Sequence, residues 1–206
     1  LNSTILNRAL KLCEQVYDES MYGTDDLYRI KDIVHSVDKN HWDGKKWLAE
    51  EFKKHYNHPD GNILVVGGWY GMMAYQLRQV WQNKSMNITS SDMDPMCEFY
   101  GWNLFDGCDI DFQTLDVNDS LDYSQYTAII NTSCEHMEQE DLQSIIKSKN
   151  SDTWICFQTN DYTALDAHIN CWPEPEEWAD KLNLQYVAYT GSLNLGDFNR
   201  HMVIAK

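Results

Sequence analysis

The chain has 206 residues, 43% of them hydrophobic, and at that length roughly 70% of the unfolded chain's surface can be buried. Disordered and fibrous classes are excluded, and one ordinary domain (1–206) is expected, with no need of a disulfide or metal staple. Sixteen Lys and Arg against 32 Asp and Glu give a net charge of -16, which repels a phosphate backbone, so nucleic acid is not an expected partner.

No run approaches the ~18 consecutive apolar residues of a spanning helix. The opening Leu1-Asn2-Ser3-Thr4 lacks the basic and apolar regions of a signal peptide. A soluble, cytoplasmic protein without a membrane partner is the expectation. The six cysteines include no Cys-x-x-Cys pair and no Cys/His zinc spacing; they read as small buried hydrophobes in a reducing compartment, and no metal is expected.

Residues 1–58 read as a helical N-terminal region that lids whatever follows. Ser3 can cap a helix running through Glu19, and from Trp42 to Tyr56 the residues Trp42, Trp47, Leu48, Glu51, Phe52 and Tyr56 recur at helical spacing. His58-Pro59-Asp60-Gly61 breaks that helix. From there to Lys206 short apolar runs alternate with helical stretches, the order of parallel strands joined by crossover helices. Seven strands are predicted: Asn62–Val66, Asn87–Ser90, Asp111–Leu115, Thr127–Asn131, Thr153–Gln158, Gln185–Tyr189 and His201–Ala205. Helices are predicted over Met72–Gln82, Pro95–Leu104, Gln139–Lys147 and Pro175–Leu182, with Pro95 and Pro175 suited to a first turn. No helical stretch separates the last two strands, so they can pair antiparallel.

An open, mainly parallel sheet binds ligands beyond the carboxyl ends of its strands, so the residues there are the candidates. Val66-Gly67-Gly68-Trp69-Tyr70-Gly71-Met72 is a glycine-containing turn that opens a helix, which serves equally as plain connection or as a close approach to a ligand. Asp92, after the second strand, is placed to accept hydrogen bonds from a ribose diol, while Asp94 caps the helix at Pro95. Asp116 follows the third strand, and Glu135-His136 follow the fourth, where they either line a cleft or cap the next element. Beyond the fifth strand, Gln158-Thr159-Asn160-Asp161-Tyr162 and Asp166 to Pro173 mix hydrogen-bonding groups with aromatics, as an acceptor pocket does. His168 there is either a base or a structural histidine.

In order and spacing, the glycine turn, Asp92-Met93-Asp94-Pro95, Leu115-Asp116 and Asn131-Thr132-Ser133-Cys134-Glu135-His136-Met137 resemble the motifs of class I S-adenosylmethionine-dependent methyltransferases, nearest the small-molecule, ubiquinone-type branch. The motifs span Asn62 to about Gln158, and the strand order extends the likeness to Lys206. The resemblance implies a three-layer Rossmann-like α/β fold with a seven-stranded, mainly parallel sheet whose last strand is antiparallel. It implies S-adenosylmethionine as cofactor and a small-molecule methyl acceptor. Gly67, Gly68, Trp69 and Gly71 would form the turn under the methionine part, Asp92 would hold the ribose, Met93 would pack on the adenine face, Asp116 with Val117 would contact the adenine, and Asn131 would sit near the sulfonium. His168, Asn131 and Asp161 are the catalytic candidates. Trp42, Lys45 and Lys46 are candidates for closing the pocket and meeting the cofactor carboxylate.

Two positions depart from the family pattern: Val65 stands where an acid is usual and Trp69 where the middle glycine is, so a remodelled turn is expected. Aminopropyl or aminocarboxypropyl transfer on the same fold, or nucleoside binding without catalysis, are the alternatives. A nicotinamide-dependent dehydrogenase would carry the intact Gly-x-Gly-x-x-Gly turn that Gly67 to Gly71 lacks.

Overall fold

The computed structural model describes residues 3–19, 25–58, 60–82, 85–119 and 122–206. Three helices come first: α1 (Ser3–Glu19), α2 (Asp25–Ser36) and α3 (Lys39–His55). Ser3 is the first residue of α1 rather than its described cap, and Pro59 of the expected break lies outside the described residues. Helix α2 was not anticipated from the sequence, because its charged residues mask an apolar line at Ile30 and Ile33 that continues to Val37 just past its end; Ile33 and Val37 are buried. Helix α3 starts ahead of Trp42 because Asp38, in extended conformation, accepts a hydrogen bond from the His41 N–H (2.9 Å) and so satisfies an end donor.

The remaining elements are β1 (Asn62–Val66), α4 (Met72–Val80), β2 (Asn87–Asp92), α5 (Pro95–Leu104), β3 (Asp111–Thr114), β4 (Ala128–Asn131), α6 (Gln139–Ser148), β5 (Trp154–Asn160), α7 (Pro175–Leu182), β6 (Val187–Asn194) and β7 (Asn199–Ala205). Single 3-10 turns occupy Tyr123–Gln125 and Cys134–His136. The seven strands form one sheet in the order β3-β2-β1-β4-β5-β7-β6. All pairs are parallel except those of β7, which runs antiparallel to both β5 and β6. The expected sheet is thus present.

Strand β1 shows why three layers form. Ile63 and Val65 point into a core shared with α1 to α5, whereas Leu64 and Val66 point into a second core with α6 and α7. A strand buried on both faces reads as an unbroken apolar run. Trp178 of α7, fully buried, fills the second core. The N-terminal helices are bound into the first: Arg8 donates to the Leu104 carbonyl (3.0 Å), and Arg29 bonds both the Tyr70 hydroxyl (3.0 Å) and Asp94 (2.7 Å). The six cysteines are free thiols.

Candidate functional site

Strand register brings distant residues to one edge. Val66 of β1 aligns with Ser91 of β2 and with Asn131 of β4, Asp92 aligns with Thr114 of β3, and Asn131 aligns with Phe157 of β5. The carboxyl ends of five parallel strands therefore open on the same side. Because β7 is inverted, its amino end lies there too, with Arg200 opposite Asn160. A cavity of about 640 Å³ occupies this edge, where the chain order reverses between β1 and β4, as expected for an open α/β sheet.

One end of the cavity is walled by Val66, Gly67, Trp69, Asp92, Met93, Leu115, Asp116 and Val117. The turn after β1 keeps a tight path despite its indole. Gly67 has φ of 58° and Trp69 itself takes φ of 51°, a left-handed conformation that L side chains rarely adopt. The strain is held by neighbours: the Trp69 N–H donates to Asp92 Oδ2 (2.9 Å), its ring stacks on Tyr70, and His41 of α3 packs against it at 5.5 Å between ring centres. The expected remodelling is therefore a Trp bent into a glycine-like turn.

Asp92 accepts one backbone hydrogen bond on each oxygen, the second from the Asp94 N–H (3.2 Å), which fixes the carboxylate with lone pairs to spare. Asp94 caps α5 through the Met96 N–H (2.9 Å). Met93 is 68% exposed, so it is a rim residue and not a core methionine. Both bonds to the Asp116 carboxylate, from the Asn118 N–H and side-chain amide, fall on Oδ1 (2.9 Å each).

The other end is polar and aromatic: His41, Lys45, Glu135, His136, Tyr162, His168, Phe198 and Arg200 line it. Arg200 donates from Nη1 to Glu135 Oε1 (2.7 Å), and Asn160 Nδ2 donates to the same oxygen (2.9 Å). Burial raises the Glu135 carboxyl, but the charges of Arg200 and His136 and the hydrogen bonds it accepts together outweigh burial, and the group stays below its ordinary range. Lys45 is pushed down to about 8 by burial and by the like charge of Arg200. Burial also lowers His41, favouring its neutral form.

The predicted residues divide. Gly67, Trp69, Asp92, Met93, Asp116, Val117 and His168 share the cavity wall; Gly68, Gly71, Asn131 and Asp161 do not. Gly68 sits where a side chain would meet Ser90, and Gly71, at φ of 92°, where one would meet the Phe112 ring. Asn131 is fully buried; its Oδ1 accepts from the Ser133 N–H (2.8 Å) and its amide faces Met137 Sδ, so it shapes the turn after β4. Asp161 binds the Asn199 N–H (2.8 Å) and side-chain amide (2.7 Å), one with each oxygen, which joins β5 to β7. Of the lid candidates only Lys45 reaches the wall. Trp42 packs toward Tyr75, and Lys46 is exposed beside Glu50 (3.8 Å). Arg200 and His41 were missed; a lone Arg opening an apolar strand was the available signal for the first.

No protein-family model and no curated protein matches the chain. Among solved structures it is similar to the CurJ carbon methyltransferase, with a TM-score of 0.63 at 11% identity over 78% of this chain and 54% of that one. It is also similar to magnesium protoporphyrin IX methyltransferase (ChlM) from Synechocystis PCC 6803. With bound SAM that protein gives a TM-score of 0.59 at 15% identity, over 81% of this chain and 79% of that one; with bound SAH the values are 0.61 and 15%, over 99% and 94%. The chain spans about half the length of the CurJ structure. At these identities the likeness establishes the fold, and that fold is the Rossmann-like one of the class I methyltransferases.

Proposed function

We propose that this protein is an S-adenosylmethionine-dependent methyltransferase acting on a small molecule. The observation that carries the reading is the meeting, in one cavity at the strand ends, of the glycine turn after β1 with Asp92 and Met93 at the end of β2 and Asp116 and Val117 in the loop after β3. These residues fit the cofactor. Asp92 keeps acceptor capacity for a ribose diol, Asp116 has Oδ2 for an adenine amino group, and Met93 offers an exposed apolar surface for an adenine face. The binding of magnesium protoporphyrin IX methyltransferase to SAM and SAH on the same fold supports the assignment.

When bound, the cofactor supplies an electrophilic methyl group on a sulfonium. The chain's own task is alignment and exclusion of water. The turn from Gly67 to Gly71 holds one partner at the sheet edge, and Tyr162, Phe198 and His168 wall the other. His168 is oriented by a hydrogen bond between Nδ1 and the Tyr162 carbonyl (2.7 Å); since a carbonyl only accepts, Nδ1 carries the proton and Nε2 is left basic, able to take a proton from an acceptor within reach. Gly68, Gly71, Asn131 and Asp161 act by holding the loops in place. Lys45 and Arg200 bring positive charge to a site of an otherwise acidic protein, which favours anionic groups, the cofactor carboxylate among them. Helices α2 and α3 supply the lid through His35, His41 and Lys45.

Product analysis tests the reaction. Incubation with S-adenosylmethionine and a panel of hydroxyl, amine and carboxyl acceptors is expected to release S-adenosylhomocysteine. Release of methylthioadenosine instead would mark aminocarboxypropyl transfer, and its release from decarboxylated S-adenosylmethionine would mark aminopropyl transfer.

A further inference from the structure

We propose that Glu135, His136 and His168 form a site for one divalent transition-metal ion at the polar end of the cavity. The three residues come from two loops, after β4 and after β5, and the loops are tied together. The Glu135 carbonyl accepts from the Ile169 N–H (2.8 Å) and the Asn170 N–H (3.1 Å), and His136 Nδ1 bonds the Ala167 carbonyl (3.0 Å). The two imidazoles meet edge to face, 4.7 Å between ring centres.

Each imidazole is set up as a ligand. Both Nδ1 atoms face backbone carbonyls, of Ala167 and Tyr162, so both carry protons there and both Nε2 atoms keep their lone pairs. A backbone carbonyl on the far nitrogen is the usual outer partner of a metal-bound histidine. Glu135 supplies the independent sign. Its Oε1 is saturated by Arg200 and Asn160, while Oε2, on a residue only 4% exposed, has no hydrogen-bond partner among the described residues. A buried carboxylate oxygen without a partner is costly, and a cation beside it removes that cost. Arg200 stays on Oε1, so the carboxylate bridges guanidinium and ion.

One ligand-capable atom from each of the three residues lies within 4.8 Å of the other two. Two ligands of a tetrahedral zinc-sized ion, each about 2.1 Å from it, stand about 3.4 Å apart, so closure asks for up to about 1.4 Å of movement, which the exposed His136 can provide. Two imidazoles and one carboxylate suit zinc, manganese, iron or cobalt in preference to magnesium or calcium. Three protein ligands leave positions open toward the cavity, where an acceptor oxygen can bind and lose its proton more readily. That role rests on the methyltransferase reading, and in it His168 Nε2 serves as a ligand in place of a base; binding of the ion does not depend on it.

The test uses the full chain, stripped with chelator and titrated with Zn²⁺ by calorimetry and with Co²⁺ by visible absorption. The expected result is one tight site of nitrogen and oxygen character, without thiolate charge-transfer bands, that magnesium does not displace. His136→Ala and His168→Ala should each weaken it at least about a hundredfold, since even outer partners of metal ligands cost 10–100-fold. The exposed His136 keeps the test independent of folding, and Glu135→Gln, which retains the shape, should weaken the site as well. Absence of a tight site, a thiolate spectrum, or unchanged affinity in His136→Ala overturns the proposal. S-adenosylhomocysteine binding is measured separately: its absence alongside intact Zn²⁺ binding rejects the methyltransferase reading and leaves the metal site standing.

Discussion

Lys45 is a cation held where the fold gains nothing from it, and its removal should stabilise the protein while harming the site. The residue is 8% exposed on the cavity wall. Burial first, and then the charge of Arg200, lower its pKa from 10.5 to about 8, against the attraction of Glu135 and Asp38. At about 1.4 kcal/mol per tenfold change in proton affinity, that difference corresponds to about 3 kcal/mol of lost stability; water in the cavity screens part of it, so about 1–3 kcal/mol is expected. The sign follows from proton counting: between pH 8 and 10.5 the unfolded chain binds more protons than the folded one, so this penalty is full below about pH 8 and fades as pH rises toward 10.5. Lys45→Met keeps the length and removes the charge. Urea unfolding of the ligand-free protein should show the variant more stable than wild type by about 1–3 kcal/mol at pH 7, with the gap closing by pH 10.5, and with weaker S-adenosylhomocysteine binding. A variant less stable at pH 7, or a gap independent of pH, would refute the electrostatic reasoning.

Other substitutions probe the supports of the site. Asp38→Ala should cost about 1 kcal/mol by removing the cap of α3. Burial raises the Asp38 carboxyl, but the side-chain and backbone hydrogen bonds of His41 prevail and bring it to about 2. Its contribution is therefore present above the ordinary carboxylate pKa and lost as pH falls toward 2, which unfolding midpoints at pH 7 and pH 2 would reveal. Gly71→Ala places a side chain against Phe112 at a left-handed φ, and should lower stability by about 2–4 kcal/mol in denaturant titrations. Trp178→Ala, in the second core and not on the cavity wall, should cost about 3–5 kcal/mol while leaving S-adenosylhomocysteine affinity at low temperature unchanged.

Most of the sheet was legible because its strands are buried. Asn62–Val66 and Ala128–Asn131 are apolar on both faces, and Pro95 and Pro175 mark helix starts that the structure retains. The misses have common causes. Strand β6 was expected over Gln185–Tyr189 but runs from Val187 to Asn194; as an edge strand it buries little, and its polar residues carry no apolar signal. Strand β5 extends past Gln158 through Asn160, because Thr159 and Asn160 find internal partners in the Asn170 carbonyl and Glu135. The cavity wall formed by Gly67, Trp69, Asp92, Met93, Asp116 and Val117 was readable, since these residues lie at or just past the ends of their strands. The polar end was readable in part: Glu135, His136, Tyr162 and His168 were candidates from the sequence, whereas His41 and Arg200 were not. Arg200 reaches the cavity only because β7 is inverted between β5 and β6, and pairing order is invisible in a linear chain. Glu135 and His168 are brought together by backbone bonds between two loops, which no local spacing announces.

The most direct measurement is calorimetry of S-adenosylhomocysteine binding to the wild-type chain and to Asp92→Ala. A wild-type complex weakened by about 1.5–3 kcal/mol in the variant, the scale of hydrogen bonds to a charged group, is the predicted result. No binding to the wild type, or equal affinity for both proteins, would contradict the assignment of this cavity to an adenosyl cofactor.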